Sequence, residues 1–276
     1  MVMKRFVFVF LAALAVWSCV FTGVSVHKGN GVAVDTVIDV EGFGAISLPA
    51  STDVVYKITE GERSVVLTCD EKLVDCYYIH VEDSVLIADI KPGISIMSTK
   101  VQSVLTVCAP VLEGVKISGS GDCAVLGPVS SDRSFYLKCS GSGDISVSGS
   151  VTCPSFTATT SGSGDISVSA VLCDSGAEIR TSGSGDIDIS SLSAQSAQIR
   201  TSGSGDIAVR GITADEITAG STGSGDIDLL CKDAGMVNAS ASGSGDISLS
   251  GTARTLKSNK SGSGDVLSDG LNILKE

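Results

Sequence analysis

Aromatic residues make up 4% of the 276-residue chain, with a single tryptophan, and histidine occurs only at His27 and His80. Without aromatic anchors the surface lacks the residues that dominate tight protein interfaces. Two histidines and no Cys-x-x-Cys leave no ligand set of zinc type, so no cofactor is expected. Basic residues are outnumbered 19 to 31, for a formal charge of −12, which becomes −14 if Lys4 and Arg5 are lost with a leader. No stretch concentrates positive charge enough to offset that balance, which excludes nucleic acid as a partner. Nucleophile-elbow and phosphate-loop spacings are missing too, since Ser-Gly-Ser-Gly does not match Gly-x-Ser-x-Gly. The one long apolar run, from Phe6 to Trp17, is too short for a comfortable membrane span.

What the chain has in excess is one phrase. Gly-Ser-Gly-Asp occurs eight times, closing on Asp122, Asp144, Asp165, Asp186, Asp206, Asp226, Asp246 and Asp265, at steps of 22, 21, 21, 20, 20, 20 and 19 residues. Ser precedes seven copies and Thr222 the eighth. So regular a period marks one supersecondary unit stacked on itself. One residue after the aspartate stand Cys123, Ile145, Ile166, Ile187, Ile207, Ile227, Ile247 and Val266, and three after it Val125, Val147, Val168, Ile189, Val209, Leu229, Leu249 and Ser268. Small or polar residues separate the two positions, the alternation of a half-buried strand. Nine and seven residues before the aspartate, pairs such as Phe135/Leu137 and Ala197/Ile199 predict a second strand, and the residue between it and the turn is small, as at Cys139, Thr160 and Thr181. Val129, Val151, Val171, Leu192 and Ile212 mark a third segment, where the drift in repeat length is absorbed. Three short sides per coil of about 20 residues predict an all-β parallel solenoid of triangular section. An antiparallel meander, each Gly-Ser-Gly-Asp a hairpin turn, is the competing geometry, and the likeness of the inward columns favours the solenoid.

Residues 1–19 are expected to be a secretory signal, with a basic start followed by a short apolar stretch. Ser18-Cys19 resembles a lipoprotein box with Cys19 as the lipidated residue, although Trp17 departs from the usual pattern, and cleavage after Ala15 is the rival. Export to the outer membrane, periplasm or cell surface follows, with contact to a membrane only through that lipid. Residues 20–34 are expected to be a linker, 35–118 a non-repetitive β-rich section capping the open end of the solenoid, 119–268 the repeat, and 269–276 a tail covering the far end. Within the cap, strands are expected around 37–40, 54–58, 65–68, 77–81, 85–90 and 104–107, with one helical turn in 70–75. Of nine cysteines, Cys69 and Cys76 are the first pair to test for a disulfide, while Cys123 and Cys139 fall on inward positions as small apolar residues.

A β-rich leader followed by serial Gly-Ser-Gly-Asp-Ile turns resembles the head GIN domain family of exported Bacteroidetes proteins, described as adhesins of auto-transporter type. The likeness runs from about Asp35 to Val266 and is strongest in Glu113-Gly114-Val115-Lys116-Ile117-Ser118-Gly119-Ser120-Gly121-Asp122. It implies a right-handed β-helix at the cell envelope and carries over no catalytic residues. The expected role is a binding scaffold of adhesin type without catalytic activity, its ligand a surface glycan or protein. A purely structural envelope component and a polysaccharide-active β-helix enzyme are the alternatives.

The aspartate column needs an explanation of its own. Carboxylates stacked one strand spacing apart repel by about 1 kcal/mol per pair even in water. As turn residues they are expected to accept hydrogen bonds from their own turn's N–H groups or from serine hydroxyls. A basic column six residues earlier, at Lys116, Lys138, Arg180 and Arg200, is expected to help. The sharper alternative is a calcium ladder on Asp122, Asp144, Asp165, Asp186, Asp206, Asp226, Asp246 and Asp265, whose spacing matches known calcium repeats poorly.

Overall fold

The computed structural model describes residues 23–97 and 100–274, and in it the chain winds into the stacked coils of a β-solenoid of about 8 turns. The expected signal and Cys19 lie outside these residues. Each coil has three sides. The first is built from Phe135–Cys139, Phe156–Thr160, Gly176–Thr181, Ser196–Thr201 and Glu216–Ser221, each parallel to the next and in register. After the Gly-Ser-Gly-Asp corner the second side starts at the residue following the aspartate, so that Cys123, Ile145, Ile166, Ile187, Ile207, Ile227 and Ile247 pair vertically. Val129, Val151, Val171, Leu192 and Ile212 stack on the third side. Register shifts lie between the second and third sides, at Val147/Ser150 and Val209/Ile212, which is where coils of unequal length take up their difference.

Parallel pairing of like with like rules out the meander. The alternation that predicts the strands also builds the core, because every second residue points inward and meets the same kind of residue above and below. Cys123, Ile145, Ile166, Ile187, Ile207, Ile227 and Ile247 are each at most 1% exposed. Fully burying one such isoleucine contributes about 1.5–3 kcal/mol. Phe135 and Phe156 stack with ring centroids 6.3 Å apart. The buried residues form one cluster from Phe43 to Leu271.

The N-terminal section departs from expectation in two ways. First, it is not wholly non-repetitive. Ala45–Leu48 stacks in register beneath Gly114–Ile117, and Asp53–Ile58 beneath Cys123–Leu126, so an additional coil is present. Its corner is Pro49-Ala50-Ser51-Thr52-Asp53, with Ala50 and Thr52 under Gly119 and Gly121. Second, the linker is not a free tether, because Ser25–His27 pairs with Ile94–Ile96 and the Gly31 N–H donates to buried Asp70 at 2.6 Å. The cap is mixed: Ala33–Val37 lies antiparallel on Ser64–Asp70, Ser64–Asp70 on Val104–Ala109, and Tyr77–Glu82 on Val85–Ile90, while Val85–Ile90 and Val104–Ala109 run parallel to Ala45–Leu48 and Asp53–Ile58 of the coil above. The expected helical turn is a short 3-10 turn at Val74–Cys76. At the far end, residues 271–273 do not fold over the stack. They finish the strand Val266–Ile273, which pairs with the preceding coil and is itself the last described layer.

Coils this close leave no room for a side chain at the corner glycines. A Cβ on Gly203 would overlap the carbonyl oxygen of Gly183 in the coil before, and the same holds for Gly183 on Gly162 and Gly223 on Gly203. The obstacle is main chain and cannot swing aside. Gly203→Ala should therefore destabilise the protein by at least about 3 kcal/mol, at the upper end of overpacking costs. Urea unfolding followed by circular dichroism checks this, with Ser204→Ala, in the same corner, expected to change little.

Candidate functional site

Each corner turns the main chain sharply, which leaves two backbone groups without a sheet partner, and side chains of the repeat satisfy both. The first is the carbonyl of the second glycine. It accepts the buried hydroxyl five residues before the aspartate, in Thr160 to Gly164, Thr181 to Gly185 and Thr201 to Gly205 at 2.9 Å and Ser221 to Gly225 at 3.0 Å. The Cys139 thiol donates to Gly143 at 3.1 Å in the same manner. The small residue expected at this position is thus a donor as well as a filler, which is why threonine recurs at a site no more than 2% exposed.

The second group is the aspartate's own N–H. It donates to Oδ1 of the aspartate in the preceding coil, from Asp122 on Asp53 through Asp144, Asp165, Asp186, Asp206, Asp226 and Asp246 to Asp265, at 2.7–2.9 Å throughout. The carbonyl of the same residue accepts the N–H that follows the preceding aspartate, as in Ile187 to Asp206 at 2.9 Å. The expected acceptor role is therefore present, but the donor is the next coil and not the aspartate's own turn or a serine. An N–H placed between successive carboxylates supplies the positive end of a dipole where repulsion would otherwise be greatest.

The basic column contributes nothing to this ladder. Lys116, Lys138, Arg180 and Arg200 all point outward, stacked on the first side with Thr159 between Lys138 and Arg180. Arg180 pairs with Glu178 at 2.5 Å, Lys138 lies over the Tyr136 ring, and the one ladder carboxylate with an ion pair among the described residues is Asp265, held by Lys260. Sequence reading misses Asp53, the first member, whose other oxygen accepts from Gln102 Nε2 at 2.5 Å. Its corner lacks both glycines, so an aspartate at the start of a strand is the only available signal. Among the described residues, no group of three or more His, Cys, Asp and Glu side chains is arranged to hold a metal ion.

All eight described cysteines are free thiols, including Cys69 and Cys76, so the disulfide expected first is not formed. Burial accounts for Cys123 and Cys139 as read from the sequence, and Cys153 stacks in register on Cys173. Burial pushes the Cys123 thiol up to about 12 and those of Cys173 and Cys231 to about 11. Protonated thiols inside the column are poor nucleophiles.

The outer surface beside the corners is hydroxyl-rich. A cleft of about 620 Å³ follows the junction of the first side and the corners across successive coils, lined by Ser161, Ser182, Ser202 and Thr222 along one margin and by Arg180 and Arg200 along the other. None of the buried thiols or tyrosines with shifted pKa values lines it.

The family described as "Putative auto-transporter adhesin, head GIN domain" matches residues 42–231 and again 197–275. Among solved structures, the chain resembles a putative adhesin from Parabacteroides distasonis with a TM-score of 0.78 and 22% identity, covering 88% of this chain and 99% of that one. A putative lipid binding protein from the same species gives 0.76 at 21% identity over 91% and 100% of the two chains. A putative adhesin from Parabacteroides merdae gives 0.75 at 21% over 87% and 98%. At these identities the likeness establishes the fold. No curated protein matches the sequence.

Thr201→Val strands the buried Gly205 carbonyl and should cost about 1–3 kcal/mol, whereas Asp186→Asn keeps an acceptor oxygen and removes one like charge, for a loss of at most about 1 kcal/mol. Urea unfolding gives the order. Melting in calcium, magnesium and chelator at fixed ionic strength separates an acceptor ladder, which is indifferent, from a calcium ladder, which melts higher in calcium alone. A further expectation concerns pH. A thiol held at about 11 when folded, as Cys231 is, against 9.0 in its ordinary state, releases its proton first in the unfolded chain, so its stabilising contribution is intact below pH 9 and is lost as pH rises towards 11. Unfolding free energy measured from pH 8 to 11 should fall, and fall less steeply in Cys231→Ala.

Proposed function

The chain belongs to the family described as putative auto-transporter adhesin, head GIN domain, and from that membership we infer that it is an exported, envelope-tethered binding scaffold with no catalytic role. The observation that carries this reading is the repetition of the same short hydroxyl side chains along the outer corners. Ser118, Ser140, Ser161, Ser182, Ser202, Thr222, Ser242 and Ser261 are exposed at equivalent positions of successive coils. A ligand that itself repeats can engage several coils at once, so weak single contacts sum to useful avidity. The basic and apolar leader supports export, and Ser18-Cys19 supports a lipid tether. Among the described residues no helix is long and apolar enough to cross a membrane. The described residues that line the cleft are mainly hydroxyls, small residues and two arginines, a lining suited to hydrogen-bonding a ligand.

Beads coated with residues 23–276 should be retained on immobilised host mucin and on a subset of a glycan array, above beads coated with an unrelated protein of equal charge. Retention no higher than that control on every surface would overturn the binding reading. Release of new reducing ends or unsaturated sugars from the same polysaccharides would overturn its non-catalytic part.

A further inference from the structure

The cleft beside the corners is chemically uneven, and the unevenness centres on Arg200. On the first side the outward column runs Lys116, Lys138, Thr159, Arg180, Arg200, Gly220, Ser240 and Asn259 in register. The long side chains stop at Arg200. Its Cγ lies against Gly220, 3.9 Å from where a Cβ would be, so the next two coils leave open space in front of the guanidinium. The neighbouring cation is accounted for, since Arg180 Nε meets Glu178 at 2.5 Å and its Nη2 donates to Gln198 Oε1 at 2.8 Å. The Arg200 guanidinium has neither an ion pair nor a hydrogen bond among the described residues. It is an uncompensated cation stacked one coil from another, on a chain of formal charge −12, and it faces an open cleft rather than a carboxylate.

We propose that this cleft binds an acidic glycan, with the carboxylate of a uronic acid unit on the Arg200 guanidinium. The fork of N–H donors matches a planar carboxylate with two parallel hydrogen bonds, a geometry a lysine cannot supply. Around it Ser202, Thr218, Thr222 and Ser240 offer hydroxyls as donors and acceptors for sugar hydroxyls. The cleft has no aromatic ring on which a neutral sugar could stack, so charge and hydrogen bonding must supply the affinity. A pyranose unit advances about as far along its chain as one coil does along the stack. A polymer laid in the cleft is therefore offered the hydroxyls of Thr222, Ser202, Ser182 and Ser161 in turn, one per coil, beside the carboxylate held by Arg200.

The inference rests on the binding-scaffold reading, and it names the ligand class. The test is titration of residues 23–276 with oligogalacturonate of two and of eight units, fully methyl-esterified oligogalacturonate, dextran sulfate oligosaccharide and phosphatidylglycerol vesicles. Binding of the octamer at least tenfold tighter than the dimer, weakening with salt, is the expected result, with the methyl ester at least tenfold weaker. Arg200→Ala should weaken octamer binding tenfold or more and Arg200→Lys by an intermediate factor, while Arg254→Ala, an exposed cation outside the cleft, changes it less than twofold. Unchanged melting of the variants confirms that they fold. Equal binding of acid and ester, preference for dextran sulfate or vesicles, or an unaltered affinity in Arg200→Ala each overturns the proposal. Bead retention that persists in Arg200→Ala while oligogalacturonate fails to bind would overturn this inference alone and leave the scaffold reading in place.

Discussion

Every backbone group in a stack of coils must find its partner in the coil above or below, and at a corner the main chain cannot do this unaided. That constraint organises the rest of the molecule. Along the sides, ordinary parallel pairing suffices and the side chains are free to alternate between core and solvent. At the corner the chain turns, one carbonyl is swung inward and one N–H is left facing the neighbouring coil. The threonine hydroxyl takes the first and the aspartate carboxylate the second. Gly203 and its equivalents then let the coils approach closely enough for both bonds to form. A repeated phrase of six residues, as in Thr201-Ser202-Gly203-Ser204-Gly205-Asp206, is thus a complete solution to one local problem of hydrogen-bond satisfaction, and its repetition is what propagates the fold.

Much of this is legible in the amino-acid sequence alone. The period, the inward columns at Ile187 and Ile189, the third segment through Leu192 and the small residue at Thr181 all follow from spacing and polarity, because in a solenoid each position sees the same surroundings in every coil. What escapes is whatever lacks that repetition. The coil through Asp53 is hidden because Pro49-Ala50-Ser51-Thr52 replaces the glycines, and it can do so because Ala50 and Thr52 lie under the first repeat corner, whose own glycines make the room. The pairing of Ser25–His27 with Ile94–Ile96 is hidden because three residues with no periodic neighbour carry no pattern. Partner choice in the ladder is also out of reach. Sequence places an aspartate in a turn, but whether it accepts from its own turn or from the next depends on how far apart the coils lie.

The candidate site shows the same division. The basic residues at Lys116, Lys138, Arg180 and Arg200 are evident as a column, yet the expectation that they neutralise the aspartates fails because the corner separates the two columns onto different sides of it. Only the arrangement of neighbours distinguishes Arg180, held by Glu178 and Gln198, from Arg200, whose next coil offers Gly220. The cysteines behave likewise. Their number suggests disulfides, but the inward columns in which they stand accept any small apolar residue, and the thiols fill space there as valine or alanine does elsewhere.

The aspartate ladder also has a direction, since each carboxylate accepts from the coil that follows, and among the described residues Asp265 is its last member, held instead by Lys260. Mechanically the stack is therefore asymmetric. Among the described residues the strand Val266–Ile273 is paired along one edge only, whereas the first coils are clasped by antiparallel strands and by Asp70. Tension applied between the two ends of the stack would peel that layer first, then the one beneath, each step breaking one coil's worth of bonds and releasing about 20 residues of chain. Such a body yields in instalments from its C-terminal layer while the clasped N-terminal end keeps its shape.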